Sequence, residues 1–426
     1  MSPAWTPRLL NVALRLMAMG SRFALIFVLA KLLEPAEVGL FGLFLATVAF
    51  SMLVIGGDYY TYSQRELISL PRERWSFVLQ HQLLATGMLY IILIPPQLLL
   101  FTFDLLPARL MFWFFALLVI EHLAQEINRL LVAMQRPLLA SWVLFIRMGA
   151  WVWGLLPIIW FLPDTRNLET TFLAWLAGGL FAILIGGWGI VRDVSPWRSW
   201  PVDFTWMKRG FGVGLLFLVA TMCFKALTTI DRFVVEALNG RDLLGVYVLY
   251  MGMAMAIMSF LDAAVFSFLY PRMVSAYRHG DHHGYQRLKK EMLWSTLGIS
   301  AGLAAGIAAA APFVLDWIGR PLYAEHMHLL WLLLAVAVIY TVGMIPHYGL
   351  YARGADRSIV VAHISSLGVF ILATALLARE APLEAAAYGL IAAFAWMGGL
   401  KHVQYRRIRS GLAPASATTS PSQGTI

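Results

Sequence analysis

The stretch FVLAKLLEPAEVGLFGLFLATVAF, residues 27–50, decides the fold class. It holds parts of two apolar runs that meet at the helix breaker Glu34-Pro35, and each run is long enough to cross a bilayer as a helix. Comparable runs follow along the whole chain. The pattern predicts about twelve transmembrane helices, near residues 9–33, 38–57, 77–101, 109–133, 138–162, 170–191, 210–231, 243–270, 293–315, 329–352, 359–378 and 383–402.

The overall composition supports the same fold class. Of the 426 residues, 60% are hydrophobic and 13% are charged, whereas a soluble domain has about 45–50% apolar and about 25% charged residues. This excess excludes a soluble enzyme, a disordered chain and a coiled coil. A β-barrel is excluded because its strands alternate and give no long apolar runs. We therefore predict an all-α polytopic membrane protein, and its one cysteine, Cys223, allows no disulfide framework and no thiolate metal site.

The basic residues indicate the orientation in the membrane. The net charge is +9, and Lys and Arg in alternate loops outnumber those in the remaining loops by three to one. Cytoplasmic loops collect such residues, so both termini are predicted to be cytoplasmic. In this assignment Lys401 belongs to an inside segment and Arg232 to an outside segment. Residues 411–426 are rich in Ser, Thr and Pro and are predicted to form a disordered cytoplasmic tail.

Weak internal repeats predict two halves. The segment at 237–250 resembles 31–44 and pairs Gly245 with Gly39, and two further matches follow in chain order. We predict an N-terminal six-helix bundle over 1–200 and a C-terminal six-helix bundle over 201–410, related by pseudo-symmetry, with a substrate path between them. Chance similarity between hydrophobic helices is the alternative explanation of the repeats.

Four basic residues fall inside predicted spans, where an unpaired charge is costly. They are Arg15 and Arg22 in the first span, Arg147 in the fifth and Lys225 in the seventh. At 100° per residue, Arg15 and Arg22 share one helix face. We predict that the four cations line a central cavity that receives an anionic head group.

Two glutamates, Glu121 and Glu126, lie on the polar face of the fourth span. A helix this amphipathic inside a membrane faces water or polar partners on one side. The functional hypothesis is that these acids balance the cavity cations or titrate during coupling. The structural alternative is that Arg22 or Arg147 pairs permanently with one of them and ties helices together.

Two aspartates are further candidates for proton or cation coupling. Asp262 lies in the eighth span, and Asp58 lies at the end of the second. For Asp58, a capping or interface role is the favoured alternative. His347, in the tenth span, is interpreted as a hydrogen-bonded packing residue rather than a proton relay.

Several stretches resemble one family. FVLAKLLEPAEVGLFGLF (27–44), GGDYYTYSQREL (56–67), NRLLVAMQRPLLASWVLFIR (128–147) and FLYPRMVSAY (268–277) are similar to Wzx-like polysaccharide (O-antigen) flippases. These belong to the polysaccharide transporter family of the multidrug/oligosaccharidyl-lipid/polysaccharide (MOP) exporter superfamily. The resemblance implies a MATE-like fold that moves undecaprenyl-pyrophosphate-linked oligosaccharide across the bacterial inner membrane by alternating access. The family's substrate is an O-antigen or exopolysaccharide repeat unit.

The resemblance also implies the partners. They are the polyprenyl-linked oligosaccharide, membrane lipids, and a polysaccharide polymerase with its chain-length machinery, and no nucleic acid. No cofactor is expected. Because the sequence has no P-loop, the energy would come from an H⁺ or Na⁺ gradient. Twelve spans, against the fourteen of lipid II flippases, argue against a role in peptidoglycan synthesis.

Two other function classes compete with the flippase. A multidrug or small-cation antiporter of the same fold would favour an acidic, aromatic cavity, which the four in-span cations oppose. A membrane glycosyltransferase or polymerase usually needs a large outside loop with catalytic groups, and the longest outside segment here, 316–328, is short. We therefore predict that the protein is not an enzyme.

Overall fold

The computed structural model describes residues 5–194 and 196–409, and this part of the chain is helical without any strand. The predicted tail at 411–426 lies outside the described residues. The α-helices are α1 (Trp5–Leu32), α2 (Pro35–Gly56), α3 (Tyr60–Ser69), α4 (Trp75–Leu93), α5 (Leu99–Thr102), α6 (Met111–Ala133), α7 (Pro137–Phe145), α8 (Trp151–Phe161), α9 (Leu168–Val194), α10 (Phe204–Leu261), α11 (Ser267–Arg278), α12 (His282–Ile318), α13 (Pro321–Glu325), α14 (His328–Tyr351), α15 (Asp356–Leu377) and α16 (Ala385–Arg409).

The predicted spans correspond to these helices. Within residues 5–194 and 196–409, ten helical stretches are long and apolar enough to cross a membrane. One of them, Thr221–Arg278, contains the second half of the predicted span 210–231 and all of the span 243–270. The backbone of Gly240 (φ 80°, ψ 179°) separates the two by breaking α10 at the predicted Asn239-Gly240 breaker. The twelfth predicted span is α16, which has 25 residues and a more polar end. The fold class predicted from the sequence is thus confirmed.

Two π-helical turns interrupt spans that the sequence reads as continuous. The fifth span consists of α7 and α8 joined by the turn Ile146–Ala150, which contains Arg147. The eighth span ends in the turn Asp262–Phe266, which begins with Asp262. A π turn inserts a residue into the helix and redirects the side chains around it. Both turns therefore change the direction of a charged side chain inside the membrane.

The helices α2 and α10 cross at two glycines. A methyl group on Gly39 would lie 2.5 Å from the carbonyl oxygen of Arg241, and one on Gly245 would collide with the backbone of Pro35. Small residues at such crossings let helix backbones approach closely in membranes. Gly39 and Gly245, which the repeat comparison pairs, therefore lie next to each other. They form the contact between α2 of the first predicted half and α10 of the second.

The ends of the helices assigned to the periplasm are joined. Arg320, before α13, binds Glu34 between α1 and α2, with Nη1 2.9 Å from Oε2. Lys31 Nζ lies 4.6 Å from the ring centroid of Trp317 and donates to its backbone oxygen. Trp160 stacks on Trp317 with the ring centroids 6.3 Å apart. Charged and aromatic contacts thus connect α1, α8 and α12 at this side.

Two basic residues assigned to loops lie inside helices instead. Arg232 precedes the break at Gly240 by two turns and belongs to α10. Lys401 belongs to α16 and is only 1% exposed, so it is not a solvated inside charge. Each of the two has a polar partner: Asp231 for Arg232, and His363 for Lys401.

Candidate functional site

A charged cavity lies between the helices of the two predicted halves. It has two connected parts of about 480 Å³ and 410 Å³ that share Arg22, Glu121, Arg147 and Lys225 in their lining. The first part is also lined by Arg232 and by aromatic and methionine side chains. The second part reaches Asp58 and other groups at the ends of α2 and α6 that are assigned to the cytoplasm.

A buried ion pair forms one wall of the cavity. Arg147 Nε lies 3.0 Å from Glu121 Oε2, and the Trp175 indole N–H donates to Glu121 Oε1 over 2.6 Å. Arg147 is 7% exposed and Glu121 is 4% exposed. Both carboxylate oxygens are therefore engaged. This geometry matches the structural alternative for Arg147, since the pair joins α6 to the π turn between α7 and α8.

Two cations in the cavity have no such partner. Arg22 of α1 is exposed to the cavity, and Lys225 of α10 is half-buried beside it. Among the described residues, neither side chain has a hydrogen-bond or ion-pair partner. Because an unpaired charge inside a membrane protein is costly, it usually marks a ligand or ion path. These two residues are therefore the best candidates for direct contact with an anion.

A second buried pair, which the sequence analysis missed, lies on α10. Asp231 is fully buried, its Oδ1 lies 3.2 Å from Arg232 Nη1, and its Oδ2 accepts from the Tyr247 hydroxyl over 2.8 Å. The adjacent opposite charges at 231–232 were a signal of this pair. The pair brings Arg232 to the cavity with its charge already compensated.

Glu126 belongs to a separate polar cluster behind the cavity. Its oxygens accept from Gln82 Nε2 over 2.7 Å and from Arg129 Nη1 over 2.6 Å. His122, one turn earlier, is hydrogen-bonded to the Tyr90 hydroxyl over 2.7 Å. The polar face of α6 is therefore satisfied largely by partners on α4, and Glu126 does not line either part of the cavity.

The remaining predicted site residues are dispersed. Arg15 is exposed and is absent from the lining of both parts of the cavity. Asp58 is buried at the inner end, has a positive φ of 50°, and hydrogen-bonds the Thr221 side chain. Asp262 is exposed, lies outside both parts, and hydrogen-bonds Tyr348. The structure therefore brings together three of the four predicted cations, namely Arg22, Arg147 and Lys225.

The lining carries a surplus of positive charge. In the first part, four cations (Arg22, Arg147, Lys225, Arg232) stand against one carboxylate (Glu121). The other lining groups there are mostly apolar, including Trp151, Trp175, Phe224 and Met251. Such a chamber suits a ligand with an anionic group and an apolar or sugar-like body, because guanidinium binds phosphate with directed hydrogen bonds and aromatic faces pack against flat apolar surfaces.

Several solved structures of membrane proteins have a fold similar to that of this chain. The chain is similar to the structure described as lipid II flippase MurJ, inward closed conformation, with a TM-score of 0.67 and 12% identity over 96% of this chain and 88% of that one. It is also similar to MATE in the straight conformation (TM-score 0.65, 14% identity, 95% and 97% covered). A third similar structure is a multidrug resistance MATE family transporter of the MOP superfamily in an outward-facing conformation (TM-score 0.62, 14% identity, 95% and 96% covered). No family model and no curated protein sequence matches the chain.

The class of protein follows from the fold. The chain is a multi-pass, helical membrane protein with a fold similar to that of the MATE and MurJ structures. At 12–14% identity the likeness concerns the fold alone.

Proposed function

We propose that this protein is a flippase for undecaprenyl-pyrophosphate-linked oligosaccharide in the bacterial inner membrane, driven by an ion gradient through alternating access. The observation that supports the proposal is that Arg22 and Lys225 line the central cavity and have no ion-pair or hydrogen-bond partner in the described part of the chain. A pyrophosphate head group would supply the anion that both residues lack. The oligosaccharide would occupy the first part of the cavity, which is lined by aromatic side chains, while the polyprenyl tail stays in lipid.

The described conformation supports loading from the cytoplasmic side. The helix ends assigned to the periplasm are joined by the Arg320–Glu34 ion pair, whereas the second part of the cavity extends to Asp58 at the opposite end. A lipid-linked precursor made in the cytoplasm would thus reach Arg22 and Lys225 without passing the closed end.

The alternative proposal is a multidrug or small-cation antiporter of the same fold. The aromatic and methionine lining favours it, because organic cations bind aromatic faces. The charge of the cavity opposes it. Glu121 is the one carboxylate among the described residues that line the first part, and Arg147 already compensates it. A cationic drug would therefore meet repulsion from Arg22 and Lys225.

The direct test is ligand binding by the purified protein in lipid nanodiscs. Undecaprenyl pyrophosphate is titrated while the fluorescence of the cavity tryptophans, Trp151 and Trp175, is recorded. Arg22→Ala and Lys225→Ala are each expected to weaken binding about 10- to 100-fold, since a hydrogen bond to a charged group contributes about 1.5–3 kcal/mol. Lys290→Ala, which removes an exposed lysine near the start of α12, is the matched control and is expected to bind normally.

The ligand series separates the two proposals. Undecaprenyl pyrophosphate is expected to bind more tightly than undecaprenol, and an organic cation is expected to bind weakly. Equal binding of the pyrophosphate and the alcohol would overturn the flippase proposal. Tight binding of the cation that improves in Arg22→Ala would favour the antiporter.

The cellular test is a deletion strain. Loss of surface glycan, with undecaprenyl-linked repeat units retained on the cytoplasmic leaflet, is the expected phenotype. Arg22→Ala and Lys225→Ala are expected to reproduce it although the protein inserts into the membrane normally. Normal surface glycan in both variants would contradict the role of the cavity cations.

A further inference from the structure

A lysine is buried without a carboxylate in the second half of the chain. Lys401 of α16 is 1% exposed, and its Nζ lies 3.1 Å from Nε2 of His363 on α15. Within the described part of the chain, this imidazole is the one polar partner of the Lys401 side chain. A fully charged ammonium in such a site is expensive, because a single neutral hydrogen-bond acceptor replaces its hydration.

A second histidine extends the pair. The ring of His347 on α14 is parallel to that of His363, with 6.0 Å between centroids and 4° between planes. The Nδ1 atom of His347 is buried and has no hydrogen-bond partner among the described residues. The interpretation of His347 as a hydrogen-bonded packing residue is therefore wrong for this nitrogen. The three side chains bring together titratable groups from α14, α15 and α16.

The groups around this cluster are aromatic. From α14, Tyr348 and Tyr351 lie 5.6 Å and 6.5 Å from the His347 ring centroid. Tyr270 of α11 packs on both tyrosines, and Phe224 of α10 packs on His363. The nearest described carboxylate along this chain of contacts is Asp262, which reaches the cluster through its hydrogen bond to Tyr348. Within the described residues, Lys401 forms no ion pair with a carboxylate.

The hydrogen bond between Lys401 and His363 limits how many protons these two side chains can hold together. A hydrogen bond between Lys401 Nζ and His363 Nε2 needs a lone pair on one of the two nitrogens. The pair therefore holds either one extra proton, shared along the bond, or none. A second proton would place two positive charges 3.1 Å apart in a medium of low polarity. Lys401 and His363 are thus expected to titrate as one unit with a single proton.

The cluster is connected to the cavity by one aromatic side chain. Phe224 lines both parts of the cavity, and its ring centroid is 5.3 Å from that of His363 and 5.6 Å from that of Tyr340. Its chain neighbour is Lys225. One turn later, Thr228 has a non-helical backbone (φ −92°, ψ 18°) and kinks α10. A change of charge at His363 therefore acts on a ring carried by a kinked segment that also carries a cavity cation.

We propose that Lys401, His363 and His347 form a proton-binding site, and that its occupancy is transmitted through Phe224 to the segment of α10 that carries Lys225. The proton binds to a lone pair on the Lys401–His363 unit and leaves from the same unit, with no other bond made or broken. Its binding requires only this cluster. Its use to drive transport rests on the proposed function.

The cluster fits this role better than the glutamates selected from the sequence. Both oxygens of Glu121 are held by Arg147 and Trp175, and those of Glu126 by Arg129 and Gln82. The oxygens of both carboxylates are thus occupied by fixed partners within the described helices. Lys401, in contrast, has a single hydrogen bond, to an imidazole that can itself accept or give up a proton, and no carboxylate partner among the described residues.

The first experiment measures proton binding without any substrate. The detergent-purified protein is titrated potentiometrically between about pH 5 and pH 9, the range in which imidazoles and desolvated lysines titrate. Wild-type protein is expected to release about one proton more than Lys401→Met over this range. Lys290→Met is the matched control, since an exposed lysine keeps its proton to about pH 10. Identical curves for wild type and Lys401→Met would overturn the proposal.

The variant is expected to fold, because replacing a buried charge by an apolar side chain of similar shape is often neutral or stabilising. The thermal midpoint of Lys401→Met, measured in the same detergent, verifies this. Should it be lower than the midpoint of Lys290→Met, His363→Asn gives the same comparison from the other side of the hydrogen bond. Its proton release must then also fall by about one.

The second experiment tests the link to transport in proteoliposomes, with undecaprenyl-linked substrate and an imposed pH gradient. A single-proton step changes site occupancy by up to about tenfold per pH unit. The wild-type rate is therefore expected to depend on pH, whereas the rates of Lys401→Met and Lys401→Arg are expected to change less than about twofold. Undecaprenyl pyrophosphate binding is expected to remain intact in both. A wild-type pH profile in Lys401→Met would overturn the coupling role.

The two proposals fail in different ways. If wild type and Lys401→Met differ in proton release but undecaprenyl pyrophosphate does not bind, the proton-binding site is supported and the proposed substrate is wrong. If the substrate binds through Arg22 and Lys225 but wild type and Lys401→Met release protons identically, the flippase proposal is supported and the proposed proton-binding site is wrong.

Discussion

At the scale of the residue, the charged side chains of the cavity are of two kinds. Some form ion pairs that hold helices together, and others have no partner within the described part of the chain and are available to bind a ligand. Arg147 and Glu121 are buried, 3.0 Å apart, and hold a π turn against α6. Arg22 and Lys225 line the same cavity without a partner among the described residues. The sequence placed all four in spans, but it left open which of them were paired. Periodicity gives the face of a helix and not the side chain opposite it.

The buried pair makes a prediction about stability. Arg147→Met and Glu121→Gln, each alone, leave one charged group without its partner and are expected to cost about 3–5 kcal/mol. The double variant removes both charges and is expected to recover most of this loss. Thermal unfolding of the four proteins in detergent forms the double-mutant cycle. Additive losses would show that the two side chains are energetically independent.

Arg15 provides a second prediction at this scale. It shares the face of Arg22 on an ideal helix but is exposed and does not line the cavity. Arg15→Ala is expected to change the affinity for undecaprenyl pyrophosphate less than about threefold, whereas Arg22→Ala weakens it at least about tenfold. The nanodisc titration measures both variants side by side. An equal loss of affinity in the two variants would show that Arg15 also takes part in binding.

At the scale of the element, the crossing of α2 and α10 depends on the absence of side chains. Gly39 and Gly245 face backbone atoms of the opposite helix, and backbone atoms cannot move aside as a flexible side chain does. The repeat comparison paired these glycines by position. Their direct contact was not predicted, since two equivalent positions in a pseudo-symmetric protein meet only when they lie beside its axis.

Enlarging one of these glycines is expected to separate the two helices. Gly39→Leu places a side chain against the Arg241 carbonyl oxygen and is expected to destabilise the protein by about 1–3 kcal/mol, the range for an overpacked interface. Gly298→Leu in α12 is the control, because a Cβ at this position would have open space within 4 Å. Thermal midpoints in detergent compare the two. Equal midpoints would mean that the crossing relaxes without cost.

At the scale of the whole molecule, helix ends are joined at one side, and the cavity extends toward the other side. The Arg320–Glu34 pair and the stacked Trp160 and Trp317 join helices from both predicted halves at the side assigned to the periplasm. The cavity extends in the opposite direction, to Asp58. Under the proposed function, release of a substrate to the periplasm would require these contacts to break, because they join the helix ends on that side.

Locking the joined end is expected to stop transport. In a Cys223→Ser background, Glu34→Cys with Arg320→Cys is treated with a short bis-maleimide, which is expected to cross-link the two halves in the described conformation. Substrate translocation in proteoliposomes is expected to cease while undecaprenyl pyrophosphate binding persists. Each single-cysteine protein serves as a control that is modified but not cross-linked. Full translocation after complete cross-linking would contradict alternation at this end.

Hydropathy alone was enough to predict the helical fold, the approximate positions of its spans, and the presence of Arg22, Arg147 and Lys225 inside them. These follow from the cost of exposing backbone polar groups and charges to lipid, which acts on each segment separately. Only the tertiary structure decided which charges compensate each other. It paired Arg147 with Glu121 and Lys401 with His363, and it left Arg22 and Lys225 facing the cavity. Pairing depends on distances of a few ångströms between helices far apart in the chain, and a hydropathy pattern carries no such distances.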